Sequence, residues 1–417
     1  MSEINFGDTA WVLTSCALVL FMTPGLALFY GGLVRRKNVL NTIMSSFFVC
    51  GVASVLWVLI GFTMAFGNDI GGVVGGFNFL GLRGLSETLP YAPTIPALAF
   101  VAFQMMFAVI TPALITGALV ERMKFSALVA FIILWSIVIY YPLAHIVWGI
   151  DGFLSSLGAV DFAGGNVVHI SSGVSALVAC LILGKRQGYG AASYQPHNLP
   201  LVFLGAVILW FGWFGFNAGS ALGANGLAAH AFMTTNTSAA TAVLSWMLVE
   251  KITRGKPTML GACTGAVVGL VAITPAAGFV DVWAAIIIGA AVSPICYFAL
   301  SVVKAKFGYD DSLDVFGCHG VGGIWGGIAT GLFARSEINS VAQWNGLVFG
   351  QTELFVRQLM GIGFSIAFAA IGTAIIMFIL KSIMTIRVSD REEIYGLDQS
   401  EHGESAYPAF VGLDHYN

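Results

Sequence analysis

Hydrophobic positions in this chain neither alternate nor gather on one helical stripe. They run on in long blocks, separated by short polar connections. A bilayer core takes about 20 apolar residues per crossing helix, and eleven stretches qualify. They cover roughly 10–34, 40–66, 95–120, 125–147, 164–184, 199–221, 230–249, 258–275, 281–303, 313–334 and 350–381. The pattern predicts an all-α polytopic membrane protein with eleven transmembrane helices.

Basic residues orient these spans, because they favour the cytoplasmic side of short loops. Arg35, Arg36 and Lys37 follow the first stretch, Arg122 and Lys124 the third, and Lys185 and Arg186 the fifth. Lys251, Arg254 and Lys256 follow the seventh, Lys304 and Lys306 the ninth, and Lys381, Arg387 and Arg391 the eleventh. Only Arg83, Arg335 and Arg357 fall on the other side. The alternation places the N-terminus outside and the C-terminus in the cytoplasm. No Lys or Arg precedes the first apolar run, so that run reads as a retained span and not a signal peptide.

Composition narrows the class further. Of 417 residues, 58% are hydrophobic and 9% charged, with a mean hydropathy of +0.87. Soluble domains carry about 25% charged residues. A soluble enzyme, a nucleic-acid binder and a disordered chain are excluded. The net charge of −3 gives no global electrostatic address. Cys16, Cys50, Cys180, Cys263, Cys296 and Cys318 stand singly in apolar surroundings, as buried small residues do.

A second regularity concerns two histidines. His169 lies in the fifth stretch and His319 in the tenth, each among glycines and each with an aspartate upstream, Asp161 and Asp314. Two five-helix halves, about 10–186 and 199–335, would insert with opposite topology. Inverted repeats of this kind place a substrate path between the halves. The stretch 350–381 forms a peripheral eleventh helix, so that 1–381 is a membrane domain and 382–417 a cytoplasmic tail.

Ionisable residues inside spans are costly and mark candidate sites. A lone histidine in a bundle is commonly a hydrogen-bonding core residue, but a pair at corresponding places points to a shared central site. In an apolar path, desolvation and mutual repulsion disfavour a second charge, and a pair in contact could pass a proton. A zinc site with Cys318 competes, although adjacent Cys and His rarely aim at one metal. Asp161, ahead of glycines, could cap exposed amides or bind a cation. Asp310 and Asp311 read as loop-solvating, and Asp314 as a cap of the tenth helix or part of an inner mouth. Trp148 beside a chain break, Phe107, Trp213, Phe216 and Ser220 could together form an aromatic cup with one hydroxyl acceptor. Such a cup suits a small hydrogen-bonding cation, and phenylalanines behind it could block water and hydrated ions.

Four separated motifs carry a resemblance. They are P-G-L-A-L-F-Y-G-G-L-V-R-R-K-N, D-F-A-G-G-N-V-V-H-I-S-S-G, D-D-S-L-D-V-F-G-C-H-G-V-G-G-I-W-G and G-L-D-Q-S-E-H-G-E-S-A-Y. Together they resemble the ammonium transporter family (Amt/Mep/Rh), and the tail resembles its microbial and plant Amt branch. The resemblance implies a homotrimer in which each protomer encloses its own narrow hydrophobic pore. It assigns an outer ammonium site to Phe107, Trp148 and Ser220, and a stacked gate to Phe107 and Phe216. It makes His169 and His319 a twin-histidine pair, Asp161 a structural aspartate, Trp213 a pore-wall residue and Phe29 a pore-lining one. No cofactor or metal is implied.

The expected function is ammonium uptake across the cytoplasmic (inner) cell membrane, with deprotonation before passage. An ammonium sensor signalling through its tail is the alternative, although about 36 residues after the last span are few for a catalytic domain. An intramembrane hydrolase would need a motif such as HExxH or GxSxG, and neither occurs. The tail carries seven acids from Asp390 to Asp414 against Arg387 and Arg391. That composition suits a solvated terminus. The resemblance implies instead a segment ordered against a neighbouring protomer, on a face where P-II signalling proteins dock.

Overall fold

In the computed structural model, which describes residues 3–191 and 194–407, all eleven apolar stretches are helical. They form α1 (Phe6–Leu33), α2 (Arg36–Phe66), α3 (Ala97–Thr116), α4 (Phe125–Leu157, broken after Trp148), α5 (Gly165–Leu183) and α6 (Leu199–Ala221). There follow α7 (Gly226–Arg254), α8 (Met259–Ile273), α9 (Val282–Phe307), α10 (316–333) and α11 (Glu353–Ile383). Eight are long and apolar enough to cross a membrane; α7, α8 and α10 are not among them. The physical reasons differ. α7 carries a run of Thr, Asn and Ser, α8 has 15 residues, and α10 is rich in glycine.

Small residues bring the two halves of the chain together. α1 runs along α6, where Gly25 meets Ile208, Gly32 meets Val202, and Gly205 meets the backbone of Phe29. Without a hydrophobic drive between helices in lipid, such close backbone approach supplies the packing. α7 packs on α8 and α9, while α11 lies against α5, α10 and α4. α11 keeps Ile371, Ile375, Phe378 and Ile379 exposed on its outer side. A short antiparallel hairpin, β1 (Asp69–Ile70) and β2 (Val74–Gly75), follows α2.

One end of the bundle is tied by buried charge. Glu121, wholly buried, accepts from the backbone and side chain of Arg35 at 3.0 Å, from Asn38 at 2.8 Å and from Arg186 at 2.8 Å. Arg186 also grips both oxygens of Asp310. Arg122 donates to the carbonyl of Asp310 and the hydroxyl of Ser312, each at 2.6 Å. The basic residues predicted to set topology therefore also join four loops. Asp310 and Asp311, expected to solvate a loop, are buried instead: Arg186 donors hold Asp310, and the Phe316 amide holds one oxygen of Asp311.

The tail packs on this face and is not a solvated terminus through residue 407. It forms α12 (Asp390–Tyr395) and α13 (Leu397–His402). Ser389 and Glu392 make a reciprocal cap at the start of α12. Glu393 accepts from the Gln187 amide at 2.6 Å and pairs with Arg387 at 2.8 Å. Asp398 accepts from the Asn41 amide, and Leu397 donates to the Asn38 side chain. Glu401 accepts from the Phe125 amide. Asp414 and the rest of 408–417 lie outside the described residues.

Gly396 is the pivot between α12 and α13. Its φ is +111°, and a Cβ there would sit 2.7 Å from Lys37 Cβ and from the Lys37 carbonyl oxygen. Gly396→Val should therefore lift α13 off Asn38 and Asn41, at a cost of about 1–3 kcal/mol from backbone strain alone. Hydrogen exchange across 390–402 should rise in that variant while α1 and α6 stay protected. Unchanged protection of the tail would refute the pivot.

Candidate functional site

Two helices begin inside the bundle, and each needs acceptors for its first amides. At α5, Asp161 supplies them. One carboxylate oxygen accepts from Gly164 and Gly165 at 2.9 and 2.6 Å, the other from Asn166 and Val167 at 2.7 and 3.3 Å. Four donors occupy the group, so of the two readings left open by sequence the capping role is the one the geometry fits. Burial pushes its acidity down and the four amides pull the other way; the pKa remains raised.

At α10 the corresponding residue is Asp311, not Asp314. Asp311 lies eight residues ahead of His319, as Asp161 lies eight ahead of His169. Its Oδ2 accepts from the Phe316 amide at 2.7 Å, and burial raises its pKa to about 6. Asp314 turns through φ +61° and pairs with Lys304 at 2.6 Å, so its side chain is spent elsewhere. Equal spacing to the histidine was the available signal; the glycine context drew attention to the wrong acid.

Both helices open with widened π-helical turns, Gly165–Ile170 and Phe316–Gly320, that contain the histidines. They cross in near backbone contact. A Cβ on Gly173 would lie 2.1 Å from the Gly320 nitrogen, and one on Gly323 would lie 3.0 Å from His169 Cβ. Close approach brings the two imidazoles to Nδ1···Nδ1 3.2 Å, with ring planes 20° apart. One ring donates and the other accepts. His169 Nε2 has no partner among the described residues.

The pair lies on the wall of a cavity of about 200 Å³ enclosed by α1, α3, α5, α6, α8 and α10. Phe29, Trp213, Phe216, both histidines and Cys318 line it, and Asp314, Ser312 and Tyr194 sit toward the tail face. Trp213 lies over His169 with centroids 5.4 Å apart and planes 20° apart. Its indole N–H donates to Thr274 Oγ1 at 2.9 Å, and Thr274 donates to the Leu270 carbonyl. No sequence pattern singled out Thr274. Among the described residues no three His, Cys, Asp or Glu side chains gather as a metal site.

A second group sits beyond Phe216, away from the tail. Phe107 and Phe216 approach to 4.5 Å, inclined at 46°, so they touch as a tilted pair and do not stack flat as expected. Phe107 meets Trp148 edge-on at 5.9 Å. Trp148 is held by its own N–H on the Asp161 carbonyl at 2.9 Å. Ser220 donates to the Phe216 carbonyl at 2.8 Å, which leaves its oxygen lone pairs free to accept. The fold thus brings the ten predicted residues into three places: Phe107, Trp148, Ser220 and Asp161 at one end, Phe216, Trp213, His169, His319 and Phe29 along the cavity, and Asp314 at the other end.

Comparison with known proteins adds independent findings. The Ammonium Transporter Family matches residues 10–407. An ammonium transporter of Bacillus subtilis (strain 168) is 51% identical over 407 residues, 97% of this chain and 99% of that protein. Ammonium transporter Amt1 of Archaeoglobus fulgidus is 46% identical over 402 residues, 96% of this chain and 99% of that one. The crystal structure of Saccharomyces cerevisiae Mep2 superposes with a TM-score of 0.87 at 35% identity, covering 93% of this chain and 88% of that chain.

The capping geometry makes a direct prediction. Asp161→Asn keeps one acceptor oxygen and loses two of the four amide partners. At roughly 1.5 kcal/mol for each hydrogen bond to a charged acceptor, the helix start should weaken by about 3 kcal/mol. Thermal unfolding of the detergent-purified variant should fall by several degrees. A wild-type melting temperature would show that the four bonds are dispensable.

Proposed function

This chain belongs to the ammonium transporter family, and from that premise we propose that it carries ammonium or ammonia across the cytoplasmic membrane through the cavity beside His169 and His319. Ammonium is recruited at Phe107, Trp148 and Ser220, where ring faces attract the cation and the hydroxyl oxygen accepts one of its hydrogens. It gives up a proton to solvent water at that outer mouth before passing Phe216. Neutral ammonia then passes the two imidazoles, which offer a donor and an acceptor in turn. Asp161 acts by fixing the start of α5 and the backbone that holds Trp148.

One observation carries this reading. The 3.2 Å histidine pair lines a largely apolar stretch of the cavity, among Phe29, Trp213, Val168 and Leu209, directly behind a phenylalanine contact. Potassium, a cation of similar size, can lie against an aromatic face but has no proton to give up. Moving a bare ion into such a cavity costs several kcal/mol or more, whereas ammonia pays only for its lone pair and N–H groups.

Further features of the reading rest on the family and on internal pattern. The tail face is cytoplasmic, all eleven helices cross the membrane, and α1–α5 and α6–α10 are inverted repeats. Equal Asp-to-His spacing and widened turns in α4 and α9, and in α5 and α10, support the repeat. Three protomers assemble, and a P-II signalling protein docks on the cytoplasmic face beside α12 and α13. The sensor reading gains no support from relatives that share about half of the sequence and are named transporters.

Ammonium-evoked current or ammonia flux in proteoliposomes is the deciding measurement, and liposomes no more permeable with the protein than without would refute the reading. Two sets of variants probe the route. A Phe107→Ala, Phe216→Ala double mutant should alter flux, and wild-type flux would remove the phenylalanines from it. His169→Asp or His319→Glu should admit potassium, because a fixed carboxylate stabilises a bare cation. Potassium exclusion in both, with ammonium transport intact, would detach the histidines from selectivity.

A further inference from the structure

A third buried histidine takes no part in the route described above. His145 lies in α4, one turn before Trp148, and is wholly buried. Its Nδ1 is 2.9 Å from the carbonyl oxygen of Ala65, at the end of α2. Its Nε2 is 2.9 Å from Oδ1 of Asp69, in β1. A carbonyl oxygen can only accept. So can an ionised carboxylate, and the hydrogen bond from His145 holds the Asp69 carboxyl below the usual range. A neutral imidazole has one N–H and would leave a lone pair facing one of the two oxygens. Only a ring protonated on both nitrogens satisfies both partners.

The surroundings tie this ring to Trp148. The Gly149 amide donates to the His145 carbonyl at 2.8 Å, which ends the helical turn that carries Trp148. A Cβ on Gly149 would lie 2.7 Å from His145 Nδ1, so the chain passes close against the ring. The hairpin is pinned to the same loop, since the Phe153 amide donates to the Gly72 carbonyl at 2.8 Å and Gly72 donates to Asp69. The further titratable groups beside Asp69 are Tyr91, whose hydroxyl accepts from the Ile150 amide, and Asp151. Neither makes the second acceptor contact that Ala65 and Asp69 make.

We propose that His145 is held as an imidazolium, ion-paired with Asp69, and that this latch is a positioning device for Trp148 in the outer ammonium site. The positioning half rests on the proposed function; the charge state does not. The ring, itself wholly buried, bridges α2, the hairpin and α4 through two charge-assisted bonds, each stronger than a neutral one. Weakening it would let the last turn of α4 shift relative to Phe107, and aromatic recognition of a cation depends on ring placement.

The test uses the full-length protein in lipid nanodiscs and proteoliposomes. With 15N-labelled histidine at neutral pH, one ring should show both nitrogens protonated, and that signal should disappear in His145→Gln. Asp69→Asn, at a residue that is partly exposed, should convert the His145 ring to a neutral form. It should also raise the apparent KM for ammonium about three- to fivefold, the scale of one lost hydrogen bond, with maximal flux retained. Asp69→Glu should restore both readouts toward wild type. A neutral His145 ring in the wild-type protein would overturn the latch, and an unchanged KM in Asp69→Asn would overturn its positioning role. Wild-type protein that moves no ammonium, with the imidazolium signal present, would instead count against the proposed function and leave the ion pair standing.

Discussion

Helices that start within a membrane bundle must find acceptors for amides that no water reaches, and the carboxylate of Asp161 meets that need with four hydrogen bonds. Much follows from this one group. Because α5 can begin at Gly165 inside the bundle, His169 falls in its first turns and is buried there. The Asp161 carbonyl in turn receives the Trp148 indole. Asp311 does similar work for α10 and places His319 opposite. The two imidazoles meet because two buried acids allow two helices to be short.

The other end of the molecule solves the same problem with full charges. Glu121 and Asp310 each satisfy arginine donors from different loops, and Arg186 bridges them. Removing one partner of such a buried pair costs more than the pair contributes, because the survivor is stranded. The tail enters this network through Glu393, Asp398 and Glu401. A displacement of α12 and α13 therefore reaches the first turns of α2 and α4 and the loop before α6, and through Arg186 and Asp310 the loop leading into α10.

The sequence was most readable where one physical demand acts alone. Long apolar runs had to be helices, since no other backbone satisfies itself in lipid. Fifteen basic residues follow odd-numbered stretches, a pattern countable without the fold. Readability failed where neighbours compete for a role. Asp310, Asp311 and Asp314 are chemically alike, and only the fold assigns one to a guanidinium, one to helix amides and one to Lys304. Ring inclination at Phe107 and Phe216 depends on rotamers that composition does not encode. The acidic tail misled for a related reason: its charges count as solvating until loop amides are present to receive them. Thr274 and His145 had no pattern at all, because their partners lie 61 and about 80 residues away.

Charge placement around the cavity bears on how a cation would fare there. Among its described lining residues Asp314 is the one carboxylate, and its Oδ1 lies 2.6 Å from the Lys304 ammonium. The cavity end is thereby nearly neutral, and it offers an ion little compensation for lost hydration. The remaining polar groups are chiefly the two imidazoles and a few hydroxyls, and not a ring of carbonyl acceptors. Such a lining can escort a small neutral molecule that both donates and accepts. It cannot replace the hydration shell of an ion, since that requires several oxygens at once. On the proposed route, discrimination therefore needs no tight size filter. It follows from offering too few acceptors to a cation and enough partners to an amine that has lost its charge.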